Sequence, residues 1–232
     1  MNRNILKSKA FLIAMIGRSQ FVIFSAIGMI FYQGGNLMYP DEESYNFFLN
    51  YFSDLGRTIS ISGEPNLVSC LIFSISFFFY EVAMLPYFVF FHEFFHEEKK
   101  RNKLAIIGSF LGFIGISTSI MVAFTPTDVV PKLHLIFAFL PYYFTIPVIA
   151  LFILLIIKNE KFPNKYAVVY LIYLIIVLVY LLIVKYSGSF AASVIAQKFN
   201  IYAGCACFTI QAYGAYKLHG NPISTRTAMK KK

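Results

Sequence analysis

Tryptophan is absent from this chain, and charged residues make up only 13% of it. Ordinary soluble domains carry about 25% charged residues, so the shortage argues against a surface that faces water all round. Cysteine is scarce as well. Cys70, Cys205 and Cys207 lie inside apolar runs and form no CxxC pair. That excludes a disulfide framework or a zinc ribbon and leaves small packing residues. Acidic side chains number 11 against 20 Lys and Arg, and the charge of +9 sits in short clusters between apolar runs. Nucleic acid is therefore not the expected partner. No cleavable leader is evident either: an apolar run follows the basic residues 1–10, but Arg18 interrupts it and no small-residue cleavage site is clear.

What the chain has instead is apolar length. Hydrophobic residues make up 58% of its 232 positions, with 27 Phe and 16 Tyr, and the mean hydropathy is +0.67. Runs long enough to cross about 30 Å of hydrocarbon recur. They predict an all-α polytopic bundle of six transmembrane helices, at about 11–32, 68–92, 104–124, 133–157, 166–185 and 198–217. These form one membrane domain over 1–218, followed by a disordered basic cytoplasmic tail over 219–232. Tyrosine must supply most of any interfacial aromatic belt.

Lys and Arg orient the bundle. Lys99, Lys100, Arg101 and Lys103, then Lys158, Lys161 and Lys165, fall on the same side as the basic termini; Arg57, Lys132, Lys185 and Lys198 fall on the other. The bias places both termini in the cytoplasm of a cell membrane and residues 33–67 outside. Membrane lipids are the expected partners, and the sequence does not specify an oligomeric state. Pro86, Pro141 and Pro147 should kink spans 2 and 4, and the small residues of "GSFLG" allow close helix packing.

The outer segment "YPDEESYNFFLNYFSDLG" reads as a short interfacial helix. Asp41 serves as its N-cap, Gly56 as its stop, and Tyr45, Phe48, Leu49, Phe52 and Leu55 recur at helical spacing. Asp54 then falls in the last turn, where the helix dipole disfavours an acid and Arg57 is the near compensating charge. Asp128 lies in a tight loop before span 4, and His134 in the first turn of that span behind Pro131. Ser53, Asp54, Glu64, Asp128 and His134 thus share the outer face. Carboxylates, a hydroxyl and an imidazole together suit a divalent cation, a lipid headgroup or an activated water. The alternative is a structural network: Asp54 with Arg57, Asp128 capping span 4, and His134 on a loop carbonyl.

The stretches "NYFSDLGRT", "SGEPN" and "FTPTDVVPKLH" resemble the domain of unknown function 998 family, uncharacterised prokaryotic membrane proteins distantly similar to Frag/DRAM-like membrane proteins. The matching positions are Asn50, Ser53, Asp54, Leu55 and Gly56, then Pro126, Asp128 and His134. The resemblance implies a multi-pass membrane fold and supplies no activity.

Two further features carry chemistry. "HEFFH", His92 to His96, has the spacing of a zinc-protease helix, with Glu93 as base. It lies beside "EEKKR" at the cytoplasmic boundary, and a third ligand would have to be an acid such as Glu97 or Glu160, so the expectation is no metal and two amphipathic histidines. Arg18 and Glu81 are charges inside spans, about 6 Å apart in depth at 1.5 Å per residue, and need partners. They pair, or Glu81 titrates along an ion path. Three functions follow. The first is a non-enzymatic protein that binds a lipid headgroup or cation at the outer cluster. The second is a hydrolase or lipid-remodelling enzyme using Asp54, Asp128 and His134, at the level of analogy with alkaline ceramidase-like hydrolases, although the outer face has one histidine where those have several. The third is a small transporter using Glu81.

Overall fold

An apolar run in a medium without water satisfies its backbone internally, and a helix does so within one segment. The computed structural model, which describes residues 3–160 and 162–220, is built accordingly. Its α-helices are α1 (Arg3–Phe31), α2 (Leu67–Val82), α3 (Leu85–Phe91), α4 (Lys99–Ile120), α5 (Pro131–Ile157), α6 (Lys165–Tyr186) and α7 (Phe190–Gly220). Short 3-10 helices cover Phe52–Gly56, His92–Phe95 and Met121–Phe124. Among the described residues the one extended pairing is an isolated antiparallel bridge between Ile59 and Pro65.

Five stretches are long and apolar enough to cross a membrane: Ile5–Phe31, Leu67–Phe95, Lys99–Phe124, Pro131–Ile157 and Lys165–Tyr186. Helix α7 is longer, at 31 residues, but Gln197, Lys198, Asn200 and Gln211 make it more polar. It begins at Phe190, well before the expected boundary at 198, and it runs on through His219 to Gly220. The tail expected from 219 is thus helical at His219 and Gly220, and 221–232 lie outside the described residues.

Pro86 explains the break in the second span. Its ring clashes with the carbonyl four residues back and it has no N–H to donate; that carbonyl belongs to Val82, where α2 ends. Helix α5 continues over both Pro141 and Pro147. Each helix packs on its neighbours in a closed order, α7–α1–α2–α4–α5–α6 and back to α7. In the half nearer Lys99 and Lys158, the basic end, Phe11, Tyr87, Phe91, Phe152 and Tyr170 have no exposure and fill the middle.

The opposite end, the loop end, corrects one expectation. Residues 32–51 form turns rather than a surface helix, and helical backbone is confined to the buried 3-10 turn Phe52–Gly56. Asparagine side chains offer the backbone better partners than a helix does. Asn36 Oδ1 accepts from Met38 and Tyr39 N–H, both at 2.9 Å, and Asn50 Oδ1 accepts from Asn46 N–H at 2.9 Å. Asn50 Nδ2 donates to the Gly35 carbonyl at 2.8 Å. Gly35 has φ +78° and would place a Cβ 2.3 Å from the Ser62 nitrogen, so only glycine fits this crossing. The apolar residues expected to form a surface stripe divide: Phe52 and Leu55 are buried, and Phe48 is 60% exposed.

Candidate functional site: a cavity beneath the loop end

The expected outer-face residues sit in separate networks. Asp54 Oδ2 accepts from Tyr51 N–H at 2.8 Å and Asn50 Nδ2 at 3.3 Å, which ties the carboxylate to the start of its own 3-10 turn. That is the favourable end of a helix for an acid. Burial pushes the Asp54 carboxyl above its ordinary value, against those hydrogen bonds and the charges of Arg57 and Lys198. Arg57 itself turns away, donating from Nε to the Ile59 carbonyl at 3.1 Å.

Asp128 does not cap α5. Its carboxylate takes the Thr58 hydroxyl at 2.5 Å and the N–H groups of Thr58 and Ile59 at 3.0 and 2.9 Å, pinning the 57–66 hairpin seventy residues away. Burial raises its pKa, but the Thr58 hydroxyl and the two N–H groups outweigh burial and hold it below the usual carboxylate value. His134 Nδ1 lies 2.6 Å from the Thr125 carbonyl. A carbonyl only accepts, so Nδ1 is the donor in this bond. Among the described residues no hydrogen bond or ion pair joins Asp54, Asp128 and His134. Glu64 is exposed at the hairpin tip.

What the fold does bring together is less visible in the sequence. A cavity of about 130 Å³ lies in the loop-end half of the bundle, and Ser53 and His134 line it together with Arg18 and Glu81. Asp54 and Asp128 are not among its walls. Phe52 and Ser53 come from the 3-10 turn; Glu81 comes from α2, Ser119 from α4, His134 and Tyr142 from α5, Tyr173 and Tyr180 from α6, and Asn200 from α7.

Arg18 and Glu81 meet in this wall. Arg18 Nη2 is 3.1 Å from Glu81 Oε2, both side chains are buried, and Ser119 Oγ donates to Glu81 Oε1 at 2.9 Å. The guanidinium also lies 3.8 Å over the Tyr80 ring and 5.0 Å from that of Phe208. Gly17 makes this reach possible, since a Cβ there would meet Ala83 Cβ at 2.0 Å. Two buried polar atoms on wall residues, Arg18 Nε and Asn200 Oδ1, have no hydrogen-bond partner among the described residues.

Neighbouring residues of α7 hold the roof down. Gln197 Oε1 accepts the Phe52 N–H at 2.9 Å, and Lys198 Nζ donates to the Asn50 carbonyl. Lys198 is 2% exposed, with its ammonium 5.1 to 5.5 Å from the rings of Phe47, Tyr45 and Phe52. The sequence carries one signal for it, a lysine in an otherwise uncharged stretch, and a lysine at an expected span boundary looks the same as an ordinary loop charge.

The "HEFFH" stretch is a 3-10 helix rather than an α-helix. At about three residues per turn, positions four apart lie on different faces. His92 Nδ1 meets Asn102 Oδ1 at 3.2 Å, His96 Nδ1 lies 2.5 Å from the Glu93 carbonyl, and Glu93 pairs with Lys7. His219 stacks on Phe11 and lies tilted against Phe94. Among the described residues no group of three or more His, Cys, Asp or Glu is placed to hold a metal ion.

The family model of the Frag1/DRAM/Sfk1/Cwh43P N-terminal domain matches residues 10–218. The chain belongs to this family. No curated protein and no solved structure matches it. Together with the long apolar helices, the match makes the protein a multi-pass integral membrane protein. The matched stretch contains every residue of the cavity wall, from Arg18 to Phe208.

Proposed function

We propose that this member of the Frag1/DRAM/Sfk1 family is a non-enzymatic protein of the cell membrane that holds a lipid headgroup in the cavity beneath its loop end. The basic end faces the cytoplasm, and the Asn50–Gly56 motif sets the chain beside the domain of unknown function 998 proteins. One observation carries the reading: a buried ion pair and a buried imidazole share a cavity whose remaining walls are largely aromatic and aliphatic. Pockets that take small ligands are mostly apolar with a few convergent polar groups. The hydrolase reading loses its support where Asp54 and Asp128 point into other networks. A cation finds less support, since among the described residues no group of three or more His, Cys, Asp or Glu gathers. The transporter reading has less support, since the fully buried rings of Phe11, Tyr87 and Tyr170 pack the basic half.

Photocrosslinking tests this. A photoreactive residue replacing Ala138, in the cavity wall, should capture lipid that survives exhaustive detergent washing. The same residue at Leu135, 57% exposed on the same helix, should lose its lipid in the wash. Equal loss at both positions sinks the proposal.

A further inference from the structure

The geometry points to an uncharged, hydroxyl-bearing lipid, with a headgroup no larger than glycerol, as the occupant of this cavity. The inference rests on the lipid-binding reading above and narrows it to a class. Charge comes first. Arg18 is paired with Glu81, and the second oxygen of Glu81 is taken by Ser119. The cavity therefore presents no free charge of either sign, and an anionic or cationic headgroup would have to break a buried ion pair to find a counter-ion. Hydrogen bonding comes second. Among the described residues of the wall, the buried polar atoms left without a partner are one donor, Arg18 Nε, and one acceptor, Asn200 Oδ1, on residues 4% and 1% exposed. An unmet buried donor or acceptor costs free energy, and a hydroxyl group is the simple function that both donates and accepts. A hydroxyl can accept from the one and donate to the other; a phosphodiester or a quaternary ammonium has no proton for Asn200. Size comes third. A cavity near 150 Å³ takes benzene, a ligand of roughly six non-hydrogen atoms, and about 130 Å³ is available here. A glycerol head has the same number of non-hydrogen atoms, whereas phosphorylated heads are larger.

Competition against a photoactivatable dioleoylglycerol analogue, with the full-length protein in nanodiscs, tests the class. Unlabelled dioleoylglycerol should displace the probe at concentrations about tenfold lower than dioleoylphosphatidylglycerol or dioleoylphosphatidylcholine, the ratio set by about 1.4 kcal/mol. Its 3-O-methyl ether, which keeps an acceptor but loses the donor, should bind about fivefold more weakly. In Asn200→Leu that fivefold difference should vanish, because the acceptor is gone. The wild-type comparison stands by itself if the variant does not fold. Phospholipids that displace the probe as well as dioleoylglycerol, or a methyl ether that binds equally, would overturn this inference and leave the broader reading in place. If no lipid protects the cavity from the probe, ordered water alone occupies it and both readings fall.

Discussion

A charge within an apolar run has no water to turn to, so its partner has to lie within reach, and depth along two helices limits the choice. Arg18 and Glu81 obey that constraint with an ion pair at 3.1 Å. Glu81→Gln leaves the guanidinium uncompensated and should destabilise the protein by about 1–3 kcal/mol in reversible denaturant unfolding. Arg18→Met combined with Glu81→Leu should recover at least half of that, since apolar replacements of a buried pair are often neutral. Strictly additive losses in the double-mutant cycle would falsify the coupling. The pair itself is legible in the sequence because both charges interrupt apolar runs. Its surroundings are not: Ser119 is an ordinary small residue in sequence, and the Tyr80 ring beneath the guanidinium lies beside Glu81 among many aromatics. Lys198 is harder still, because the carbonyl it reaches lies 148 positions away, in a loop whose fold no periodicity encodes.

At the scale of elements, the hairpin over residues 57–66 depends on Asp128 from a different loop, which yields a pH prediction. The folded-state pKa of Asp128 is depressed, so its contribution is complete above the unfolded value of about 4 and is lost as the pH falls through the folded value. Asp128→Asn cannot accept the full set of bonds and should be less stable than wild type by about 1–2 kcal/mol at neutral pH, a modest figure because the site is partly exposed. Plotted against pH, the gap in stability between the two proteins should be flat from about 8 to 5 and close below about 4. A gap that stays constant to about pH 2 would mean that the carboxylate charge is not what pins Thr58 and Ile59. The spans on either side of this hairpin are readable from apolar length and proline, as Pro86 marks the end of α2 at Val82. The loop is not. In residues 32–66 the helical spacing of Tyr45, Phe48 and Phe52 is accidental, and the deciding information lies in Asn36, Asn50 and the glycines Gly34 and Gly35 with positive φ. Such side chains act on the backbone one bond at a time and leave no period to detect.

For the whole molecule, Lys and Arg supply a direction that the helix packing leaves open. The closed ring of helices fits either orientation, since a bundle inverted in the membrane has the same internal contacts. The charge bias does not: Lys99, Lys100, Arg101 and Lys103 gather at one end, and loops of that composition stay in the cytoplasm. The proposed lipid binding depends on that choice, because it decides which leaflet would supply a lipid beneath the roof of Phe52 and Ser53. Cysteine labelling reads it directly. Cys70, Cys205 and Cys207 are buried and free, so small replacements should give a background with little intrinsic reaction. Ser62 and Lys100 are both exposed, at opposite ends of the bundle. In intact cells a membrane-impermeant maleimide should modify Ser62→Cys and spare Lys100→Cys, and permeabilisation should make the second as reactive as the first. Labelling of Lys100→Cys alone in intact cells would invert the molecule, and the cavity would then open beneath the cytoplasmic leaflet.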